Sequence, residues 1–160
     1  MKMSAGVEWA VHSCAILSAA TEPVPVTKLA ELHGVSKTYL AKHMQALSHS
    51  GLVQAIEGRD GGYLLTRSGS EISVYDIVQA IDGPEPAFRC TEIRQRGPFP
   101  ASAEACKVPC GIAQVMAKAE RAWGDSLRSV TLADLNAAFD ASSPGSWETV
   151  RGWLAGTPTP

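Results

Sequence analysis

Residues 26–67 read VTKLAELHGVSKTYLAKHMQALSHSGLVQAIEGRDGGYLLTR, and the fold is decided here. Thr27 is a suitable cap for a short helix that carries Leu29 and Leu32 on one side. Gly34 then offers a left-handed turn at no side-chain penalty. Ser36 caps a second helix over 37–49, in which Leu40, Met44 and Leu47 recur at spacings of four and three, and Gly51 ends it. The remaining face carries Lys37, Thr38, Lys42, His43 and Gln45, all able to meet phosphates or base edges.

A hairpin follows. The stretch 52–57 suits one strand and 63–66 its partner, joined by Gly58-Arg59-Asp60-Gly61-Gly62. Arg59 at such a tip suits a minor groove, where a guanidinium reads width and potential. Two helices and a hairpin also suit ordinary α+β packing. The Gly turn, the basic helix and the basic hairpin tip together favour a winged helix-turn-helix. Its candidate DNA-binding residues are Ser36, Lys37, Thr38, Tyr39, Lys42, His43 and Arg59.

Val35-Ser36-Lys37-Thr38-Tyr39-Leu40, then Leu47, Gly51-Leu52-Val53 and the run Gly58-Arg59-Asp60-Gly61-Gly62-Tyr63-Leu64-Leu65 carry a resemblance. They resemble the bacterial winged-helix regulators that include the iron–sulfur cluster regulator IscR and the nitric-oxide sensor NsrR, with the redox-sensing branch nearest in pattern. The resemblance runs from residue 1 to about residue 135, and the GxxGGYxL hairpin is its most specific part. It implies a homodimer, a double-stranded DNA operator and often a [2Fe-2S] cluster held by three cysteines. The function implied is transcription control by redox state, nitric oxide or iron–sulfur status.

Size and charge agree. A chain of 160 residues is one domain with appendages, and 45% hydrophobic content is ordinary for a globular protein. The formal net charge of −2 does not mark a nucleic-acid binder, but averages hide patches. Within 26–67, Lys28, Lys37, Lys42, Arg59 and Arg67 oppose only Glu31, Glu57 and Asp60. A modest basic patch suits sequence-specific binding better than a non-specific coat. Glu8 and His12 interrupt the first apolar run before it could serve as a secretory signal, and no apolar run is long enough for a membrane span. The expectation is a cytoplasmic protein whose four cysteines bind metal, sense redox state or fill core. There is no Gly-rich phosphate loop, nucleophile elbow or zinc-protease helix, which argues against an enzyme.

The first helix is expected from about residue 5 to 20, capped by Ser4, with Val7, Val11, Cys14 and Leu17 facing the core. Glu8 and His12 form a second line one turn apart, which suits either a helix-stabilising pair or a pair of ligands. Two prolines make 21–25 a stiff connector, and Ser73 starts a helix that Gly83 and Pro84 end. Residues 85–109 are irregular, with four prolines, two cysteines and the basic residues Arg89, Arg94 and Arg96. From Cys110, helical spacing places Ile112, Val115, Ala119, Trp123, Leu127 and Val130 on one stripe, which reads as a dimer seam or as a helix docked on its own domain. Thr131 caps a further short helix, and 141–160 is rich in Ser, Gly and Pro, with Trp147 and Trp153 as anchors for a helical turn.

The expected fold is mainly α with a small β-hairpin, a winged helix-turn-helix plus a long C-terminal dimerisation helix. The parts are the DNA-binding domain at 1–83, a cysteine-bearing cluster loop at 84–110, the dimerisation region at 111–140 and a flexible tail at 141–160. In the resembling family the cysteines stand closer and more evenly, with a histidine shortly after the last. Here the gaps are fifteen and three residues, and Ala113 stands at that histidine's place. A four-ligand cluster then needs other groups, and Glu8 with His12 supply a carboxylate and an imidazole, the latter as in Rieske centres. The expected metal ligands are Cys90, Cys110, Glu8 and His12, with Cys106 the spare and the set shared across two subunits. Trp9, between these two ligands of the first helix, is the candidate for redox coupling. A zinc site and a metal-free thiol switch remain alternatives.

Overall fold

The computed structural model describes residues 3–156. Positions 1–2 and 157–160, which belong to the expected first domain and tail, lie outside it. The described chain divides into two compact units, residues 3–84 with 127–156, and residues 85–126.

The larger unit starts with α1 (Ala5–Ala19), which buries Val7, Ala10, Cys14 and Leu17. Ser4 stands at its N-cap, but both its hydroxyl and its amide bond to Asp82 instead, so the expected side-chain cap does not form. In α2 (Val26–His33) the N-cap is Pro25 rather than Thr27, because the fixed proline φ already starts the helix. Gly34 at φ 62° and ψ 33° makes the left-handed turn, and α3 (Lys37–His49) follows with Leu40, Met44 and Leu47 fully buried. Ser36 is its N-cap by position, without a side-chain bond.

The wing is β1 (Val53–Ile56) paired antiparallel with β2 (Gly62–Leu65), Val53 opposite Leu65 and Ile56 opposite Gly62. The connector joins it. Val24 exchanges both backbone hydrogen bonds with Tyr63, at 3.0 and 2.9 Å. A Cβ at Gly62 would stand 2.4 Å from the Val24 carbonyl carbon, so that position of the wing motif admits only glycine.

Ser73 opens α4 (Val74–Asp82) and Thr131 opens α6 (Leu132–Ser142), each through a reciprocal capping box with the acid three residues on, Asp76 and Asp134. α1 packs against α3, α4 and α6, and this seam with α2 and the wing base holds Leu29, Leu40, Met44, Leu47, Ile72, Ile77 and Leu132 without exposed surface. Each such side chain contributes about 1.5–3 kcal/mol of burial.

The tail departs from expectation. Ser146–Leu154 forms helix α7, and Trp147, Val150 and Leu154 pack on the core. The Trp147 indole donates to the Asn136 carbonyl at 3.3 Å and lies edge-on to Phe139. The Lys28 ammonium donates to the carbonyls of Trp153 and Leu154 at 3.1 and 3.0 Å, satisfying the C-terminal end of α7.

The smaller unit holds the cysteine loop and most of α5 (Gly111–Arg128). Within it the loop is irregular apart from single 3₁₀ turns at Ile93–Gln95 and Ala105–Lys107. On α5, Ile112, Val115 and Met116 are exposed.

Candidate nucleic-acid interface and cysteine site

Ser36, Lys37, Thr38, Tyr39, Lys42 and Gln45 all lie on the solvent side of α3, and Arg59 is exposed at the wing tip. The Lys42 ammonium sits 5.3 Å from the Tyr39 ring centroid, a cation–π contact that restrains both side chains. Tyr39 is 59% exposed, much for a large aromatic with no ligand beside it. The face is polar and basic, the character needed to meet a phosphate backbone and base edges.

His43 differs from the rest of that set. It is half-buried, and its ring stands edge-on to Trp9 of α1 with centroids 5.9 Å apart. Directly beneath is Gly6, where a Cβ would come 2.3 Å from the His43 ring. The first helix therefore bears on the recognition helix through side chains, whereas the sequence suggested a link only through the Pro23–Pro25 connector. Nothing in residue type marks Gly6 for this role beyond its place three residues before Trp9.

Glu8 and His12 are both exposed, one turn apart on α1. The His12 ring lies 5.6 Å from that of His33, the last residue of α2. His33 Nε2 is buried and has no hydrogen-bond partner among the described residues. Burial first and nearby His12 second hold the His33 pKa below the usual histidine value.

The cysteines separate by environment. Cys14 is buried on α1, and desolvation pushes its thiol up to about 12, so it is an inert core group. Cys110 stands immediately before α5. Its carbonyl accepts from Gln114 and its sulfur accepts from the Ala113 amide at 3.4 Å. That amide is the main reason its thiol pKa falls below the ordinary value. The Ile112 amide, the Arg94 charge and the Cys90 side chain add to the effect, while desolvation opposes it. Cys90 is exposed and Cys106 half-buried, and Arg94 acts electrostatically on Cys106 and Cys110 alike. Among the described residues no three of His, Cys, Asp and Glu are grouped closely enough to hold a metal ion. Cys90 and Cys110 both lie in the smaller unit, and Glu8 and His12 belong to the larger one.

Residues 3–138 match the profile of Rrf2, described as an iron-dependent transcriptional regulator. The chain belongs to the Rrf2 family. Among relatives of this Rrf2 chain, YwgB of Bacillus subtilis (strain 168) is 31% identical over 134 residues, 82% of each chain. The HTH-type transcriptional regulator IscR of Klebsiella pneumoniae (strain 342) is 38% identical over 74 residues, 46% of this chain and under half, 45%, of that protein. Of solved structures, T. potens IscR superposes with a TM-score of 0.65 at 26% identity, covering 89% of this chain and 91% of that one. CymR, the global cysteine regulator of B. subtilis, reaches 0.67 at 23% identity over 86% and 98%, which is a likeness of fold. The Rrf2 family and these relatives are regulators, not enzymes. No helix among the described residues is long and apolar enough to cross a membrane.

Proposed function

We propose that this chain is a homodimeric, DNA-binding transcription regulator that senses redox state through a [2Fe-2S] cluster shared between subunits. The observation that carries the sensing part is the Cys110 sulfur accepting from the Ala113 amide, which holds its thiol pKa down in the same compact unit as Cys90, since ligation requires thiolate. The donor chemistry fits: two soft sulfurs from one subunit, and the exposed Glu8 carboxylate and His12 imidazole from the partner, with Cys106 outside the set. When bound, such a cluster supplies one-electron chemistry, and this ligand set carries one negative charge fewer than four thiolates, which favours the reduced state.

The recognition helix is α3, with Lys37, Thr38, Tyr39 and Lys42 toward the major groove and Arg59 in the minor groove. The dimer seam is the exposed Ile112–Val115–Met116 stripe of α5. Trp9 is the coupling residue. It follows Glu8 in sequence and touches His43 on α3, so repacking at the ligand end of α1 reaches the reading helix across one side-chain contact. A change of charge at the end of α1 that Glu8 and His12 occupy, rather than loss of a bound group, would then be the switching event.

The second reading, a metal-free thiol switch, draws on the same pair of cysteines, and a zinc site would use the same donors. The test compares operator affinity of oxidised and dithionite-reduced protein, each with cluster content checked by visible absorption, iron and sulfide. Equal affinity in two cluster-intact states sinks the redox switch. Colourless protein from anaerobic purification, with no uptake on reconstitution, sinks the cluster and leaves the thiol switch or zinc.

A further inference from the structure

Cys90 lies sixteen positions before Cys106 in a loop almost without regular structure, so something other than a helix or sheet must bring its two limbs together. The polar contacts of the smaller unit converge on one side chain. Arg94 donates from Nε and Nη2 to the two carboxylate oxygens of Glu92, at 2.6 and 2.9 Å. The same guanidinium donates from Nη1 to the Ala105 carbonyl at 3.3 Å and from Nη2 to the Val108 carbonyl at 3.0 Å. Its own carbonyl accepts from the Ala101 amide at 2.7 Å. One flat fork thus ties the limb after Cys90 to the limb that runs from Cys106 to Cys110.

Two further observations single this contact out. Glu92 has φ 50° and ψ 52° and is the sole non-glycine residue with positive φ among those described, so its backbone is held where an L-residue is disfavoured. The Arg94 and Glu92 side chains are 28% and 30% exposed, against 69% and 68% for Arg89–Glu85 and 70% and 79% for Lys107–Glu104. The strained and shielded pair is the one whose guanidinium also reaches the far limb, whereas the solvated Lys107–Glu104 pair lies within that limb and Arg89–Glu85 precedes Cys90.

We propose that Arg94 is the positioning residue of the cysteine loop, clasping its two limbs through Glu92, Ala105 and Val108 so that Cys90 and Cys110 stand as a preformed dithiol. The inference rests on the reading of these two cysteines as the ligand pair, but it concerns the loop before any cluster is present. Lysine cannot replace arginine here, because an ammonium carries the charge without a planar fork that reaches three acceptors at once.

A trivalent arsenical tests the geometry without iron. Phenylarsine oxide bridges two neighbouring thiols, forming two As–S bonds and releasing its oxygen with the two thiol protons as water, with no change of oxidation state. In full-length, metal-free, reduced protein the wild type should give one adduct that peptide mapping assigns to Cys90 and Cys110. Arg94→Gln and Arg94→Lys should both weaken capture at least tenfold. In the Arg94→Gln background Glu92→Gln should add nothing further, since the two residues form one contact. Melting temperature reports the helical core and serves as the folding control, and Arg94→Lys decides the matter should the glutamine variant fold poorly. Capture at wild-type strength in either variant overturns the clasp, as does an adduct that maps to Cys106 and Cys110. Wild-type protein that captures the arsenical yet takes up no iron and sulfide sinks the proposed cluster while leaving Arg94 in this role.

Discussion

Leu40, Met44 and Leu47 on α3 have no exposed surface, while Phe99 in the cysteine loop is 92% exposed and Ile93 72%. The winged-helix unit is held by interdigitated apolar side chains, a non-directional force that tolerates local change as long as volume is kept. The loop between Cys90 and Cys110 has little such burial and depends on directional hydrogen bonds gathered on Arg94. The difference matches two tasks. A reading head must keep its shape, whereas a loop with the proposed ligand role would have to place a few sulfur atoms and still open to receive a cofactor.

The largest effect expected is in the core. Leu47→Ala should cost roughly 2–5 kcal/mol and lower the denaturation midpoint accordingly. Phe99→Ala, as large a deletion, should change stability by less than about 0.5 kcal/mol. A Phe99 variant that destabilises like the Leu47 variant would break the contrast. Gly6→Ala comes next, because its methyl has no room against the His43 ring; overpacking of about 1–3 kcal/mol is expected in thermal melts, with weakened operator binding.

Arg59→Ala should weaken operator binding by roughly 1–3 kcal/mol with an unchanged melting curve, and Lys42→Ala should reduce the salt slope of binding by about one. Gel shift across a salt series measures both, and unchanged affinity in both would take this face out of the interface. Chemical labelling sharpens the contrast further. Native protein should alkylate at Cys110 and Cys90 within minutes and leave Cys14 intact until it unfolds, as mapped by mass spectrometry. The smallest effect is one of pH. Burial and nearby His12 make His33 harder to protonate in the fold, so the unfolded chain takes up the proton first. The stability this contributes is present above the unfolded value of about 6.5 and is lost as pH falls towards the lower folded value. A His33→Gln variant should flatten that part of the profile, and an unaltered slope would remove His33 as its source.

Much of the reading head is legible in the residues themselves. The 3.6-residue periodicity of α3, the left-handed Gly34 and the Gly-rich wing each follow from local chemistry that tertiary context does not override. The caps at Ser4 and Thr27 failed for a common reason: a cap preference is worth about 1 kcal/mol, and an available Asp82 or a preceding Pro25 outweighs it. Helix α7 was only partly legible: Trp147 and Trp153 marked a helical turn, but Ser, Gly and Pro around it read as mobile chain, while its stability comes from Trp147, Val150 and Lys28 contacts far off in sequence. Arg94 carries no periodic signal at all. Only the spacing Glu92-x-Arg94 between two cysteines could have drawn notice, and the sequence reading took it for general basic character.

The docking of α7 has a consequence for exchange of parts between relatives. The family match covers residues 3–138, so Lys28 lies inside it while the carbonyls it serves lie beyond it. A graft of residues 3–138 onto another sensor would carry over an ammonium whose acceptors were left behind and bare the apolar side of the helices that Trp147 and Val150 cover. Tail and reading head therefore have to be moved as a pair, because each leaves the other with unmet polar and apolar surface.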